Sequence, residues 1–241
     1  MTNDKRVALV TGANKGIGRE IARGLAQSGF TVLAAARNRQ RGAQAVAELA
    51  DDGLDVRFQQ LDVTDEPSIF AAADRVEQEF GRLDVLVNNA GISADLAVAP
   101  SLTALDDVRR VYETNVFGVV AVTNAMLPLL RKSDAARIVN VSSRLGSMAG
   151  QTAPNTPLGL FLAYSSSKSA LNAITVHYAR ELAETQIKVN AGTPGLVATD
   201  LNGFKGTRTP AQGAKVLVEL ALLASDGPTG GFFDEDGPVS W

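Results

Sequence analysis

The chain has 241 residues, of which 45% are apolar, and its 23 Lys+Arg against 26 Asp+Glu give a formal net charge of −3. This balance predicts a globular fold with a sizeable core and, without basic clusters, gives no footprint for DNA or RNA. The absence of cysteine excludes disulfides, thiolate catalysis and Cys-ligated metals and suits a reducing, cytoplasmic setting.

Short β-rich runs alternate with helix-length segments along the whole chain. Residues 7–11 form a continuous apolar run, as a strand covered on both faces requires. A helical period follows over 17–28 and stops at Gly29. Residues 30–36 predict the second strand, 40–52 a helix and 56–61 the third strand. Thr64-Asp65-Glu66-Pro67 opens a helix that runs to Phe80 and stops at Gly81, with proline in the first turn. Strand four spans 83–87, a long helix 106–131, and strand five 137–141. A second long helix covers 163–184, strand six 187–191, a last helix 210–224, and residues 231–233 a closing edge strand. The longest apolar stretch, 119–130, is broken by Thr123, Asn124 and Pro128, so no membrane span is expected. The polar residues 1–6 lack the apolar core of a leader. The α/β alternation predicts a single doubly wound Rossmann-type domain, a parallel sheet with helices on both faces. Residues 146–162 and 201–209 show no clear period. Both follow strands, so both are placed on the rim where open α/β sheets bind ligands.

The turn after strand one reads Thr11-Gly12-Ala13-Asn14-Lys15-Gly16-Ile17-Gly18. Glycine there permits a tight turn and close approach of a pyrophosphate to main-chain N–H groups at a helix N-terminus. Strand two ends Ala34-Ala35-Ala36-Arg37-Asn38, with no acid to accept from a ribose 2′-hydroxyl. Arg37, Arg39 and Arg41 follow, with Lys15 in the glycine turn, and cations are disfavoured in a first helical turn unless an anion joins them. The pattern favours NADPH/NADP+ over NADH. Tyr164 and Lys168 lie four residues apart, on one helical face. A phenol near pKa 10 needs a neighbouring cation to act at neutrality.

With these motifs in order, the chain resembles the short-chain dehydrogenase/reductase family over nearly its whole length. The motifs are the glycine turn, Asp62-Val63, Asn88-Asn89-Ala90-Gly91, Asn115, Ser142-Ser143, Tyr164 with Lys168, and Pro194-Gly195-Leu196-Val197-Ala198-Thr199. Within the family the glycine turn, the post-strand arginine and the ending Gly230-Gly231-Phe232-Phe233 look most like NADPH-dependent carbonyl reductases. The resemblance implies that Tyr164 protonates a substrate carbonyl oxygen as hydride arrives from the nicotinamide. It gives Lys168 the lowering of the tyrosine pKa, Ser143 the polarising of the carbonyl, and Asn115, at a break in its helix, a water linking Lys168 to solvent. Gly12, Asn14, Lys15, Gly16, Ile17, Gly18, Arg37, Asn38 and Arg41 would hold the phosphates and ribose. Asp62 and Val63 would meet adenine, and Asn89, Ala90 and Gly91 the adenosine-side ribose. Pro194, Gly195, Val197 and Thr199 complete the cofactor set, with Thr199 on the carboxamide.

The interval from Ser143 to Tyr164 is longer than most of the family has and shorter than the long insertion of the monomeric reductases, so monomer and dimer both stay open. It predicts a pocket for an apolar carbonyl substrate, with Ser143, Met148, Phe161 and Phe204 as contacts. The lone His177 falls off the catalytic face of its helix, and a metal site is not expected. An alcohol dehydrogenase working oxidatively and a catalytically silent NADPH-binding sensor are the alternatives. The arginines argue against the first; the intact Ser143, Tyr164 and Lys168 argue against the second.

Overall fold

A computed structural model describes residues 5–94 and 98–241. Its strands are β1 (Val7–Val10), β2 (Thr31–Ala36), β3 (Val56–Gln60), β4 (Val85–Asn88), β5 (Arg137–Val141), β6 (Lys188–Gly192), β7 (Phe232–Asp234) and β8 (Gly237–Pro238). The helices are α1 (Gly16–Gln27), α2 (Arg39–Asp51), α3 (Glu66–Phe80), α4 (Leu105–Tyr112), α5 (Gly118–Leu130), α6 (Met148–Thr152), α7 (Leu162–Glu181) and α8 (Pro210–Ala221). One sheet runs in the order β3-β2-β1-β4-β5-β6-β7-β8. All neighbours pair in parallel except β7 and β8. This is a single-domain, doubly wound Rossmann-type fold.

Alternate strand residues feed two cores. Leu9, Leu33, Leu86 and Ile138 meet α3, α5 and α7 through Ile69, Val76, Val122, Met126 and Ala179. Val10, Val32, Val87 and Val139 meet α1 and α8 through Ile21, Leu25, Leu217 and Leu220. Each fully buried aliphatic side chain adds about 1.5–3 kcal/mol, so the sheet is a rigid base for the loops at its carboxyl edge. The order reverses between β1 and β4, which opens the crevice where such sheets bind ligands.

At α3 the expected local signals are present at both ends. Asp65 accepts from Ser68 N–H, Pro67 lies in the first turn, and Gly81 closes the helix in the left-handed region at φ 71. The expected helix over 106–131 is instead α4, a π-helical turn over Glu113–Phe117, and α5. The extra residue of a π turn redirects one side chain out of the helical register, and here it turns Asn115 into the protein, where it is fully buried. Leu105–Leu130 is long and apolar enough to cross a membrane, and half of its most apolar window is buried within this fold. Two further expectations change. Residues 146–162 contain the short α6, whose first turn is capped by Ser147. The closing strand β7 is not the sheet edge, because β8 turns back against it.

Candidate active site

The floor of the crevice is built by the ends of β1 and β4. Thr11 Oγ1 accepts from Asn89 N–H at 2.9 Å and Ala90 N–H at 3.0 Å, and Asn89 Nδ2 donates to Thr11 O at 2.8 Å. Thr11 therefore staples the two loops together. Gly12 and Gly16 have φ of 66 and 56, and a Cβ on Gly12 would stand 3.0 Å from Ala90 Cα. Only glycine meets both demands. Asn14, Ile17 and Gly18 complete the turn; a Cβ on Gly18 would fall 2.4 Å from Asn89 Nδ2. Lys15 precedes α1 and pairs with Asp200 at 2.5 Å, and a Cβ on Gly16 would lie 3.4 Å from Thr199 Cγ2. The segment after β6, with Pro194, Gly195, Val197 and Thr199, thus leans over the glycine turn.

At the end of β2, Ala36 is buried and Arg37 exposed. Asn38 caps α2 by accepting from Arg41 N–H at 2.9 Å. Among the described residues Arg37, Arg39 and Arg41 lack an acidic partner, and α2 has no acid in its first turn. Unbalanced positive charge at a helix N-terminus is unfavourable until an anion arrives, and it fits a 2′-phosphate. The Asp62 carboxylate accepts from Thr64 N–H and hydroxyl. The Val63 carbonyl faces Gly118, where a Cβ would approach to 2.7 Å.

Four side chains converge beyond β5. The hydroxyls of Ser143 and Tyr164 share a hydrogen bond, and Ser143 Oγ also accepts from Leu145 N–H at 3.2 Å. Lys168, one turn along α7, is buried with Nζ 5.6 Å from the Tyr164 ring centroid, and it donates to Val141 O at 2.7 Å. Asn115 Nδ2 donates to Ile92 O and Ser167 Oγ, and its Oδ1 accepts from Ile92 N–H. A Cβ on Gly91 would lie 3.4 Å from Asn115 Oδ1 and 3.7 Å from Lys168 Nζ, so the two flank one small space. Ser142 points away from this group and bonds Asn172 in the interior. Burial pushes the Tyr164 phenol up to about 12, with the Ser143 hydrogen bond offsetting part of the rise. Burial lowers Lys168 to about 8, which leaves it mostly charged at neutral pH, and its Nζ donates to a backbone carbonyl. Among the described residues no cluster of His, Asp and Glu has the geometry to hold a metal ion.

The short chain dehydrogenase family profile matches residues 6–209. The chain belongs to the short-chain dehydrogenase family. It is 36% identical over 282 aligned positions to carbonyl reductase [NADPH] 1 of Bos taurus, covering all of both chains. To salutaridine reductase of Papaver bracteatum it is 35% identical, covering 95% of this chain and 94% of that one. The crystal structure of NADPH-bound carbonyl reductase from chicken fatty liver superposes with a TM-score of 0.86 at 33% identity, covering 98% and 99% of the two chains. Since this chain has 241 residues, the bovine relative carries stretches without a counterpart here.

In this short-chain dehydrogenase the predicted substrate contacts do not all share one wall. Phe161 is half-buried just before α7, while Phe204 is exposed in a left-handed conformation at φ 61. Met148 faces a groove of about 300 Å³ on the outer side of α7, lined also by Ala173, Val176, His177 and Trp241. The motifs do not single out Ser167 or Asp200, and they include Thr11 only as the first residue of the glycine turn. Ser167 adjoins a motif residue, which is a signal of sorts; Asp200 meets Lys15 only through the fold.

Lys168 carries a stability consequence. Its pKa is 10.5 in the open chain and about 8 when folded, so the unfolded chain binds more protons between those values. The folding penalty is then full below about pH 8 and fades as pH rises toward 10.5. Lys168→Met should raise stability at neutral pH by up to roughly 3 kcal/mol, a gain that disappears near pH 10.5. Thermal unfolding of both proteins across this range checks it. A variant less stable at neutrality would mean that the Nζ bond to Val141 outweighs burial.

Proposed function

We propose that the protein reduces a ketone or aldehyde to the alcohol with NADPH, using Tyr164 as proton donor. The observation that carries the reading is the Ser143–Tyr164 hydroxyl pair above a buried Lys168, at the carboxyl edge of β5. Relatives named for carbonyl and salutaridine reduction support the direction.

The crevice fits the cofactor by its own chemistry. Gly12, Asn14, Gly16, Ile17 and Gly18 with the α1 N-terminus would cradle the pyrophosphate, and Lys15, Arg37 and Arg41 the 2′-phosphate. Asn38 holds the α2 start that presents those arginines. Asp62 and Val63 would flank adenine, Asn89, Ala90 and Gly91 the ribose, and Pro194, Gly195, Val197 and Thr199 the nicotinamide end. When bound, NADPH supplies a hydride to the carbonyl carbon.

The chain's residues do the rest. Ser143 donates to the carbonyl oxygen and holds it against Tyr164, where negative charge develops. Burial keeps the Tyr164 phenol protonated at neutral pH, so the proton that the forming alkoxide takes is in place. The phenolate left behind is stabilised by the Lys168 ammonium, whose low pKa lets it pass a proton on. Asn115 flanks the space beside Gly91 through which that proton is replaced from solvent. Leu160, Leu196, Leu201 and Phe204 are exposed on the segments after β5 and β6, an apolar rim that suits an apolar substrate.

Purified protein mixed with NADPH should consume it with aryl ketones, α-diketones or cyclic ketones and far more slowly with charged keto acids. Absence of consumption across the apolar panel would contradict the reading.

A further inference from the structure

Ser143 is followed by a turn that is held from outside the crevice. Its Oγ is fixed by Leu145 N–H, and Gly146 N–H bonds back to Ser143 O at 2.8 Å. Gly146 presses on α7 so closely that a Cβ would stand 2.7 Å from Lys168 backbone carbon. The opposite side of the turn is gripped by the C-terminal residues. Ser147 Oγ donates to Ser240 O at 2.7 Å, Ala149 N–H donates to Trp241 O at 2.9 Å, and the Trp241 ring stacks on Phe232 at 5.5 Å. Between these grips, Arg144 forms an ion pair with Asp234 at the end of β7. The Asp234 side chain is only 7% exposed, and Arg144 is 56% exposed. A buried carboxylate stripped of its cation is costly and drives its surroundings to rearrange. The rearrangement would fall on the residue next to Ser143.

We propose that Arg144, through its ion pair with Asp234, is a positioning residue that holds the Ser143 hydroxyl at the reacting oxygen. The pair ties the loop after β5 to β7, two places along the sheet, so the rotamer of Ser143 depends on a strand outside the crevice. The inference rests on the role proposed for Ser143.

A double-mutant cycle tests it with Arg144→Ala, Ser143→Ala and the combination, each followed by kcat, ketone KM, NADPH affinity and melting temperature. A displacement of a fraction of an ångström should lower kcat about tenfold in Arg144→Ala, with NADPH affinity within about twofold of wild type. Arg144→Lys, which keeps the cation, should restore most of the loss. On the Ser143→Ala background, Arg144→Ala should change kcat by less than about twofold, because the group it positions is gone. An unchanged kcat in Arg144→Ala, or the same tenfold loss without Ser143, would overturn the proposal and leave the role of Ser143 standing. A fully active Ser143→Ala would instead overturn that role and this inference with it. Should Arg144→Ala fail to fold, Asp234→Asn keeps an acceptor for the Asp236 N–H and is expected to give the same pattern.

Discussion

Tyr164→Phe should lower kcat by about 10²–10⁴-fold while NADPH binds as before, since a positioned acid contributes on that order. The substitution removes one oxygen and keeps the ring that packs beside Lys168 Nζ. The Ser143 hydroxyl keeps its bond from Leu145 N–H, so the remaining site is not reorganised. Steady-state rates and cofactor titration by fluorescence distinguish lost chemistry from lost binding. A loss under tenfold would show that another acid delivers the proton.

The second large effect concerns cofactor choice. Arg37 is exposed and, among the described residues, without an acidic partner, next to buried Ala36 at the end of β2. A guanidinium on a 2′-phosphate is worth roughly 1.5–3 kcal/mol, which is about ten- to a hundredfold in affinity. Ala36→Asp with Arg37→Leu removes that contact, repels the phosphate and offers the 2′-hydroxyl of NADH an acceptor. The ratio of kcat/KM for NADPH over NADH should fall by at least those factors. Because Ala36 is buried, a carboxylate there also costs stability, so melting is followed in parallel. The rate at saturating cofactor should change little, since the nicotinamide end is untouched. An enzyme that prefers NADH before mutation, or keeps preferring NADPH after it, would contradict the assignment.

What the sequence makes legible is local. Asp65, Pro67 and Gly81 mark the ends of α3 because caps and left-handed glycines act within a few residues. β1, β2 and β4 were legible as short apolar runs, and the alternation of strands with helices dictates a parallel sheet; the two-residue β8 carries no such signal. The break at Asn115 was not visible in the pattern: the apolar spacing continues across the π turn, and only the family resemblance placed a break there. Less accessible still were contacts between residues far apart in the chain, such as Lys15 with Asp200, Gly146 against Lys168 and Arg144 with Asp234. No period or motif encodes them. The Tyr164 pKa is of the same kind. Four-residue spacing suggests a cation beside a phenol, but the burial that raises the phenol comes from the packed fold.

The proposed reaction passes hydride from NADPH to a carbonyl carbon while Tyr164 supplies the proton. Reduction of an apolar ketone with NADPH carrying deuterium at its transferable position tests both parts at once. The expected product is an alcohol with one deuterium on the carbinol carbon, formed in step with NADPH oxidation, and almost none is expected from Tyr164→Phe under the same conditions. Alcohol lacking the label, or labelled alcohol formed equally well by Tyr164→Phe, would contradict it.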